Sequence, residues 1–396
     1  MKGNSYFSTN LLSMRPANVL TILLIVVAHF SMAQSSLDAS IQQLMDEQEI
    51  LGLSVAVVKD GKLIHTKAYG LKDVTTREPL KENDLFRIAS ISKSFSATSI
   101  LQLIERKKVS LDDDIGDLIG FPVRNPRFPD KKITLRMVLS HTSSLNDSQG
   151  YFTLDVVNPS KNPDWAKCFS DYAPGEGYRY CNLNYNMVGT IIERLSGERF
   201  DTYVRNHILR PLDLYGGYCI DSLDAARFVT LHEYDSVSGF KPSPMAYAPR
   251  REEIANYTMG YSTPIFSPTG GMKISAPDLA RYMIMHMNFG RKDGVKIISK
   301  KSSKIMQEPV AIKEQYALGL MRADNIVDGE VLVGHTGSAY GLYSAMFFDP
   351  KRKFGFVVIT NGCRPFANTS VAPWRNAINI LYDHYIRDTS DGADSK

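Results

Sequence analysis

Long hydrophobic runs are scarce in this chain. The one near the N-terminus, Val19 to Ala28, is about half of the roughly 20 residues a spanning helix needs, which argues against a stable membrane anchor. Cysteine is scarce as well: the 4 present, Cys168, Cys181, Cys219 and Cys363, are scattered without metal-ligand spacing. None follows the N-terminal apolar run closely, so a lipoprotein anchor is not indicated either. Excess charge is missing too. The formal net charge is +4, and removing Lys2 and Arg15 with an N-terminal leader leaves 4 − 2 = +2, which gives no argument for a nucleic-acid partner. What remains is ordinary globular material, 43% hydrophobic and 22% charged, in a chain of 396 residues that suffices for a large core and two lobes.

The leader has three parts. Arg15 precedes the apolar run, and Ser31-Met32-Ala33-Gln34 follows it with small residues where a signal peptidase reads. The expectation is a signal peptide over 1–33, cleaved after Ala33, and a secreted or periplasmic protein. Met14-Arg15 would make a tidier start than Met1. Export would allow disulfides, but four cysteines permit three full pairings and none is selected; small buried hydrophobes are an equal reading.

Along the chain, Gln34 to Leu51 reads as a helix with Leu37, Ile41, Leu44 and Met45 on one face. Leu53–Val58 and Leu63–Tyr69 read as strands joined at Lys59-Asp60-Gly61-Lys62, a hairpin signal. From Leu111 to about Met285 strand signals thin out. Short helices are expected from Leu135 to Leu139, from Tyr185 to Leu195, and after the cap Ser275. Residues Asn146 to Tyr178 make a long loop with Tyr151, Phe152, Trp165, Phe169 and Tyr172 as candidate pocket walls. Lys296, Lys300, Lys301 and Lys304 read as a solvated helix face. Four more strands are expected at Ala317–Met321, Val331–His335, Leu342–Phe348 and Phe354–Thr360, then a helix from Ala372 to Ile386. The fold class is therefore α+β: an antiparallel sheet flanked by helices and built from both chain ends (about 34–85 and 290–387), with an inserted, mainly helical lobe (about 86–289) and a polar tail at 388–396. A cleft falls where the lobes meet.

The chemistry centres on Phe86-Arg87-Ile88-Ala89-Ser90-Ile91-Ser92-Lys93, where an extended approach turns into a helix. Three residues apart on a helix, Ser90 and Lys93 share a face. A serine hydroxyl needs a base to become a nucleophile, and a lysine buried at a helix start can be neutral enough to serve. The spacing alone is weak, since composition yields about 2 matches. Ser238-Gly239-Phe240-Lys241 is a second one, in a turn-rich stretch with no helix to fix the pair.

Two further clusters follow in order. Tyr180-Cys181-Asn182 precedes a helix; on extended backbone Tyr180 and Asn182 point the same way, one able to pass protons and the other to bind a carbonyl. His335-Thr336-Gly337, then Ser338, ends an apolar strand, with glycine letting substrate lie close along the edge.

In this order the motifs resemble the serine β-lactamase-like superfamily in its class C branch, which also holds DD-peptidases, family VIII esterases, D-amino-acid peptidases and statin-type acyltransferases. The likeness runs from Leu44 to Tyr385 and includes Thr134-Leu135-Arg136, His141-Thr142-Ser143, Pro174-Gly175, Pro211-Leu212-Asp213-Leu214 and Gly270-Gly271-Met272. The resemblance implies a β-lactamase/transpeptidase-like fold and catalytic Ser90, Lys93 and Tyr180. It further implies that Asn182, His335, Thr336 and Gly337 hold substrate, and that backbone amides of Ser90 and Ser338 form an oxyanion hole. Class C β-lactamases begin the third motif with lysine; His335 gives less fixed positive charge for a β-lactam carboxylate. Cys181 inside the second motif is also unusual.

The expected function is a serine acyl hydrolase, without metal or cofactor, that acts on a small-molecule or peptidoglycan-derived ester or peptide-like amide through an acyl-enzyme at Ser90. Acyl transfer to a small alcohol, β-lactam hydrolysis, and a non-catalytic penicillin- or peptidoglycan-binding role are the alternatives. Oligomeric state is not legible.

Overall fold

The structure is a computed structural model that describes residues 36–364 and 372–387. The leader, the choice between Met1 and Met14, and the tail at 388–396 lie outside the described residues.

Seven strands form the main sheet: β1 (Gly52–Lys59), β2 (Lys62–Asp73), β3 (Glu78–Pro79), β4 (Met321–Ala323), β5 (Leu332–Ala339), β6 (Leu342–Asp349) and β7 (Phe354–Thr360). Their order is β4-β5-β6-β7-β1-β2-β3, antiparallel throughout. The two ends of the chain meet at the centre, where Leu53 pairs with Thr360 and Val58 with Gly355. At the first hairpin Asp60 and Gly61 both adopt positive φ (53° and 72°), as a tight two-residue turn requires.

Alternation along the strands gives each face its own core. Leu53, Val55 and Val57 of β1 and Phe354, Phe356 and Val358 of β7 point to one side; Ala56, Val58, Val357 and Ile359 point to the other. The helices that frame the molecule are α1 (residues 36–47), α2 (Ser92–Glu105), α3 (Leu135–Leu139), α4 (Asn182–Ser196), α5 (Ala276–Met287) and α6 (Pro373–Tyr385). The first face packs on Leu37, Ile41, Leu44 and Met45 of α1 and on Ala377, Ile378 and Leu381 of α6. The opposite face packs on α5.

The structure moves several expected boundaries. Helix α5 lies within the stretch assigned to the helical lobe, yet it packs on β1, β2, β6 and β7, because its apolar stripe of Leu279, Ala280 and Met283 matches that face of the sheet. The mid-chain also contains a hairpin, His232–Asp235 with Gly239–Pro242, and a three-stranded ribbon of Phe86–Arg87, Lys273–Ile274 and Gly216–Gly217. Such two- to four-residue strands are too short to show periodicity. Ser238 to Lys241 falls in that hairpin, with no helix to align the pair. Of Ala317–Met321 only the last residue is strand. Strand β5 runs on to Ala339, so His335-Thr336-Gly337 lies inside it and not at its end.

All four cysteines are buried and free. The pairings that export would permit are not formed; the thiols are buried, and those of Cys168 and Cys181 donate to Val156 O and Asp147 Oδ1.

Candidate active site

Ser90 occupies a single 3-10 turn, Ala89–Ile91, that leads into α2. The short strand Phe86–Arg87 delivers the chain to this point, paired with Lys273–Ile274. Ala89 then takes φ +49°, a left-handed backbone that costs a residue with a side chain about 1 kcal/mol, and the chain kinks so that Ser90 stays partly exposed above a buried helix.

One turn on, Lys93 is fully buried. Its Nζ lies 3.2 Å from Ser90 Oγ, 2.9 Å from Asn182 Oδ1 and 3.0 Å from Thr269 O. Burial pulls its pKa down to about 7, with Asp147 and then Cys181 acting against the drop. A neutral amine has two hydrogens and one lone pair. The two carbonyl oxygens take the hydrogens, and the lone pair is left for the serine.

Tyr180 completes the group. The Lys93 ammonium position lies 4.7 Å from its ring centroid, and burial pushes the phenol pKa upward while the Ser90 hydroxyl works the other way. Cys181 is extended (φ −143°, ψ 118°), so Tyr180 and Asn182 both face the cleft and Cys181 points into the core, as alternation predicts. Asn182 is the first residue of α4.

The third cluster comes from β5. Short β4 pairs only with Leu332 to Gly334, so the outer edge of β5 from His335 to Ala339 has no strand partner and borders the cleft. Two of these residues are also engaged within the protein. His335 Nε2 accepts from the Tyr316 hydroxyl at 3.0 Å and Nδ1 donates to Thr336 O at 2.5 Å, so neither ring nitrogen is left for a substrate. Burial and the neighbouring Lys93 push its pKa to about 3, and the ring is a neutral wall. Gly337 is buried, and a Cβ there would stand 2.4 Å from Ile88 O and 3.1 Å from Ala89 Cβ. Glycine thus lets β5 lie against the Ser90 turn, and Gly337 also borders the cleft where substrate is expected to lie close. His335, Thr336 and Ser338 border the cleft as well.

Several members of the site gave no signal as such in the sequence. Thr269 donates to Asn182 Oδ1 at 2.8 Å while its carbonyl faces Lys93. Asp147 accepts from the Asn182 and Leu183 backbone at 2.8 and 3.0 Å, from Asn182 Nδ2 at 3.0 Å and from Cys181 Sγ at 3.2 Å. That last contact accounts for the cysteine. His141, with φ +59°, accepts from Arg179 N through its carbonyl at 2.9 Å and from Cys181 N through Nδ1 at 3.2 Å, gripping the chain on both sides of Tyr180. His141 stands in one of the motifs of the resemblance without a role; only proximity in the fold links Thr269 and Asp147 to the site, and their side chains are common types.

Ser90, Tyr180, Asn182, Thr269 and the β5 edge line a cavity of about 700 Å³, with Lys93 and His141 buried behind it and Asp147 reaching it through Asn182. Tyr151 and Phe152 of the long loop form part of its wall; Trp165, Phe169 and Tyr172, which were also candidates, do not. Among the described residues no group of three or more His, Cys, Asp or Glu side chains could hold a metal ion.

The sequence matches the Beta-lactamase family model over residues 37–378. The chain belongs to the Beta-lactamase family. The fold is that of this family. Penicillin-binding protein 4 of Amycolatopsis lactamdurans is 27% identical over 81% of this chain and 83% of its own length. Protein flp of Staphylococcus aureus is 25% identical over 83% of this chain, and the chain spans 63% of that relative. Among solved structures, the octameric penicillin-binding protein homologue of Pyrococcus abyssi superposes with a TM-score of 0.70 at 25% identity, covering 88% of this chain and 76% of the other. EstCE1, described as a hydrolase with promiscuous acyltransferase activity, gives 0.69 at 20% identity over 88% and 98% and speaks for the fold alone.

Proposed function

We propose that this family member is an acyl hydrolase that forms an acyl-enzyme at Ser90 and acts on an ester or peptide-like amide without a free carboxylate. The observation that carries the reading is the environment of Lys93: a buried amine 3.2 Å from Ser90 Oγ whose other two polar contacts are both carbonyl oxygens.

In this mechanism Lys93 takes the hydroxyl proton as Ser90 Oγ attacks the carbonyl carbon. The oxyanion forms against the backbone amides of Ser90 and Ser338, each donor contributing about 3 kcal/mol to transition-state stabilisation. The proton passes from Lys93 through the Tyr180 phenol to the leaving group as the tetrahedral adduct collapses, and water then releases the acyl group by the reverse route. Tyr180 acts as a phenol because burial disfavours its anion. Asn182 and Thr336 orient the substrate.

The charge of the cleft supports the substrate class. Arg87 is the one arginine or lysine bordering it among the described residues, and its Nε and Nη1 are spent on Gly270 O and Ala246 O at 3.1 Å each. Glu233 and Glu314 stand exposed on the walls. A β-lactam or a peptide ending in D-alanine would bring its carboxylate into that field, so β-lactam hydrolysis is the weaker reading. Acyl transfer is favoured by one feature, Phe152, which is 65% exposed at the cleft and offers an apolar surface to an alcohol. Export through cleavage after Ala33 stays part of the proposal, and N-terminal sequencing of the secreted protein reads it directly.

The test is mass spectrometry of Ser90 after a fluorophosphonate probe, beside turnover of p-nitrophenyl esters, a cephalosporin and a D-Ala-D-Ala peptide, with and without added alcohols. Labelled Ser90 and ester turnover are expected, both abolished in Ser90→Ala. Labelling without turnover of any substrate would mean a binding protein. Cephalosporin turnover far above every ester would overturn the substrate class.

A further inference from the structure

We propose that Asp147 is a positioning residue for the Ser90–Lys93 pair: its carboxylate fixes which way the Asn182 amide points and supplies the fixed negative charge that faces Lys93. This rests on the reading of Lys93 as the base of an acyl-enzyme mechanism.

Donors and acceptors fix the orientation of the Asn182 amide. A carboxylate only accepts, so the NH2 end of Asn182 must turn to Asp147 Oδ2, at 3.0 Å. The carbonyl end is thereby directed at Lys93 Nζ (2.9 Å) and Thr269 Oγ1 (2.8 Å). With the amide reversed, its NH2 would donate to the Lys93 lone pair, the feature that makes the amine a base for Ser90. Asp147 is itself held in place. Asn146 N donates to Cys168 O at 2.8 Å, Asn146 Oδ1 accepts from Ser148 N at 2.9 Å, and Ser148 Oγ donates to Lys167 O at 2.7 Å. The two carboxylate oxygens take four donors from Cys181, Asn182 and Leu183 at the start of α4.

Charge acts on the amine as well. Lys93 is faced by Asp147, Cys181, Tyr180, Tyr185, His141 and His335. Burial raises the pKa of the thiol and both phenols and lowers that of both imidazoles, which favours the neutral form of each. Asp147, which also faces Cys168, Tyr151 and Tyr180, is the one carboxylate acting on Lys93. Removing its charge leaves desolvation unopposed, and Lys93 then holds its proton less tightly.

The experiment measures two quantities from pH 5 to 9.5: the rate of Ser90 labelling by a fluorophosphonate, and kcat and KM for p-nitrophenyl butyrate. Asp147→Asn and Asp147→Ser both remove the charge, and the smaller serine, which places no NH2 against the donors of Asn182 and Leu183, protects the test against a folding defect of the first. In each, the acid limb of both profiles is expected to move to lower pH by about one unit. The plateau kcat should fall at least tenfold while KM stays within about threefold. Asp147→Glu should return the limb to the wild-type position. An acid limb that coincides with wild type in both neutral variants, or that moves to higher pH, overturns the proposal. Ser90→Ala and Lys93→Met run beside them: if either keeps full turnover the acyl-enzyme reading itself fails, whereas inactive Ser90→Ala and Lys93→Met with an unmoved Asp147 limb sinks only the role of Asp147.

Discussion

Lys93 shows how much a single side chain depends on its surroundings. On a helix in water it would stay charged to about pH 10.4, and a permanent ammonium cannot accept the serine proton. Burial brings it to about 7, so the rate of acylation should rise through an acid limb centred near that value. Lys93→Met is expected to remove the limb and slow acylation about a thousandfold, which stopped-flow release of p-nitrophenol would measure. Gly337 is the second residue whose environment is decisive. An alanine Cβ there meets Ile88 O and Ser344 Oγ, both at 2.4 Å, so β5 must move off the nucleophile turn. Gly337→Ala is expected to cost about 2 kcal/mol of stability and at least tenfold in kcat; a melting curve and ester turnover test both, and wild-type activity would remove the strand contact from the account.

At the scale of elements, α5 carries a group that ties stability to pH. His286 is fully buried, edge-on to Tyr282 at 4.7 Å, with no hydrogen-bond partner on either ring nitrogen. Burial pushes its pKa to about 3, while in the unfolded chain it titrates near 6.5. The unfolded state therefore binds the proton first as pH falls. The stability present above about pH 6.5 is lost progressively toward pH 3, and this one residue accounts for about 2 kcal/mol between pH 7 and 5. His286→Leu should shrink the pH 7 to 5 loss by that amount in denaturant titrations. An unchanged loss would mean that the imidazole finds a proton acceptor in the fold. The elements themselves were largely legible. Helices with caps and long periods, α4 and α5 among them, stood out because Ser275, Pro277 and Gly197 punctuate them. The two-residue ribbons did not, because a pair such as Phe86–Arg87 is strand only by virtue of its partner Lys273–Ile274.

For the whole molecule the decisive property is the field in the cleft. Glu233 comes from the mid-chain hairpin and Glu314 from the stretch before β4, 81 residues apart in the sequence and on one cavity in space. With Arg87 turned inward, the cavity should disfavour anionic substrates. The double variant Glu233→Gln/Glu314→Gln is expected to raise kcat/KM at least about threefold for a carboxylate-bearing p-nitrophenyl ester, with little change for a neutral one. The gain should shrink as salt is added, since exposed charges are screened within about 10 Å at 0.1 M. An equal gain for both esters would show that the effect is steric.

The sequence by itself determined the fold class, because periodicity, caps and turn residues are local properties that survive without tertiary context, while the three clusters around Ser90, Tyr180 and His335 stood out only by the order in which they resemble the family's motifs. It also determined that His335 carries little charge. Only the tertiary structure decided which groups surround the Lys93 amine, that Asp147 and His141 hold the second motif, and that Gly337 serves the backbone and His335 the wall. Those facts depend on distances between residues far apart in the chain, and burial, which sets the proton affinities, exists only once the lobes have closed on each other.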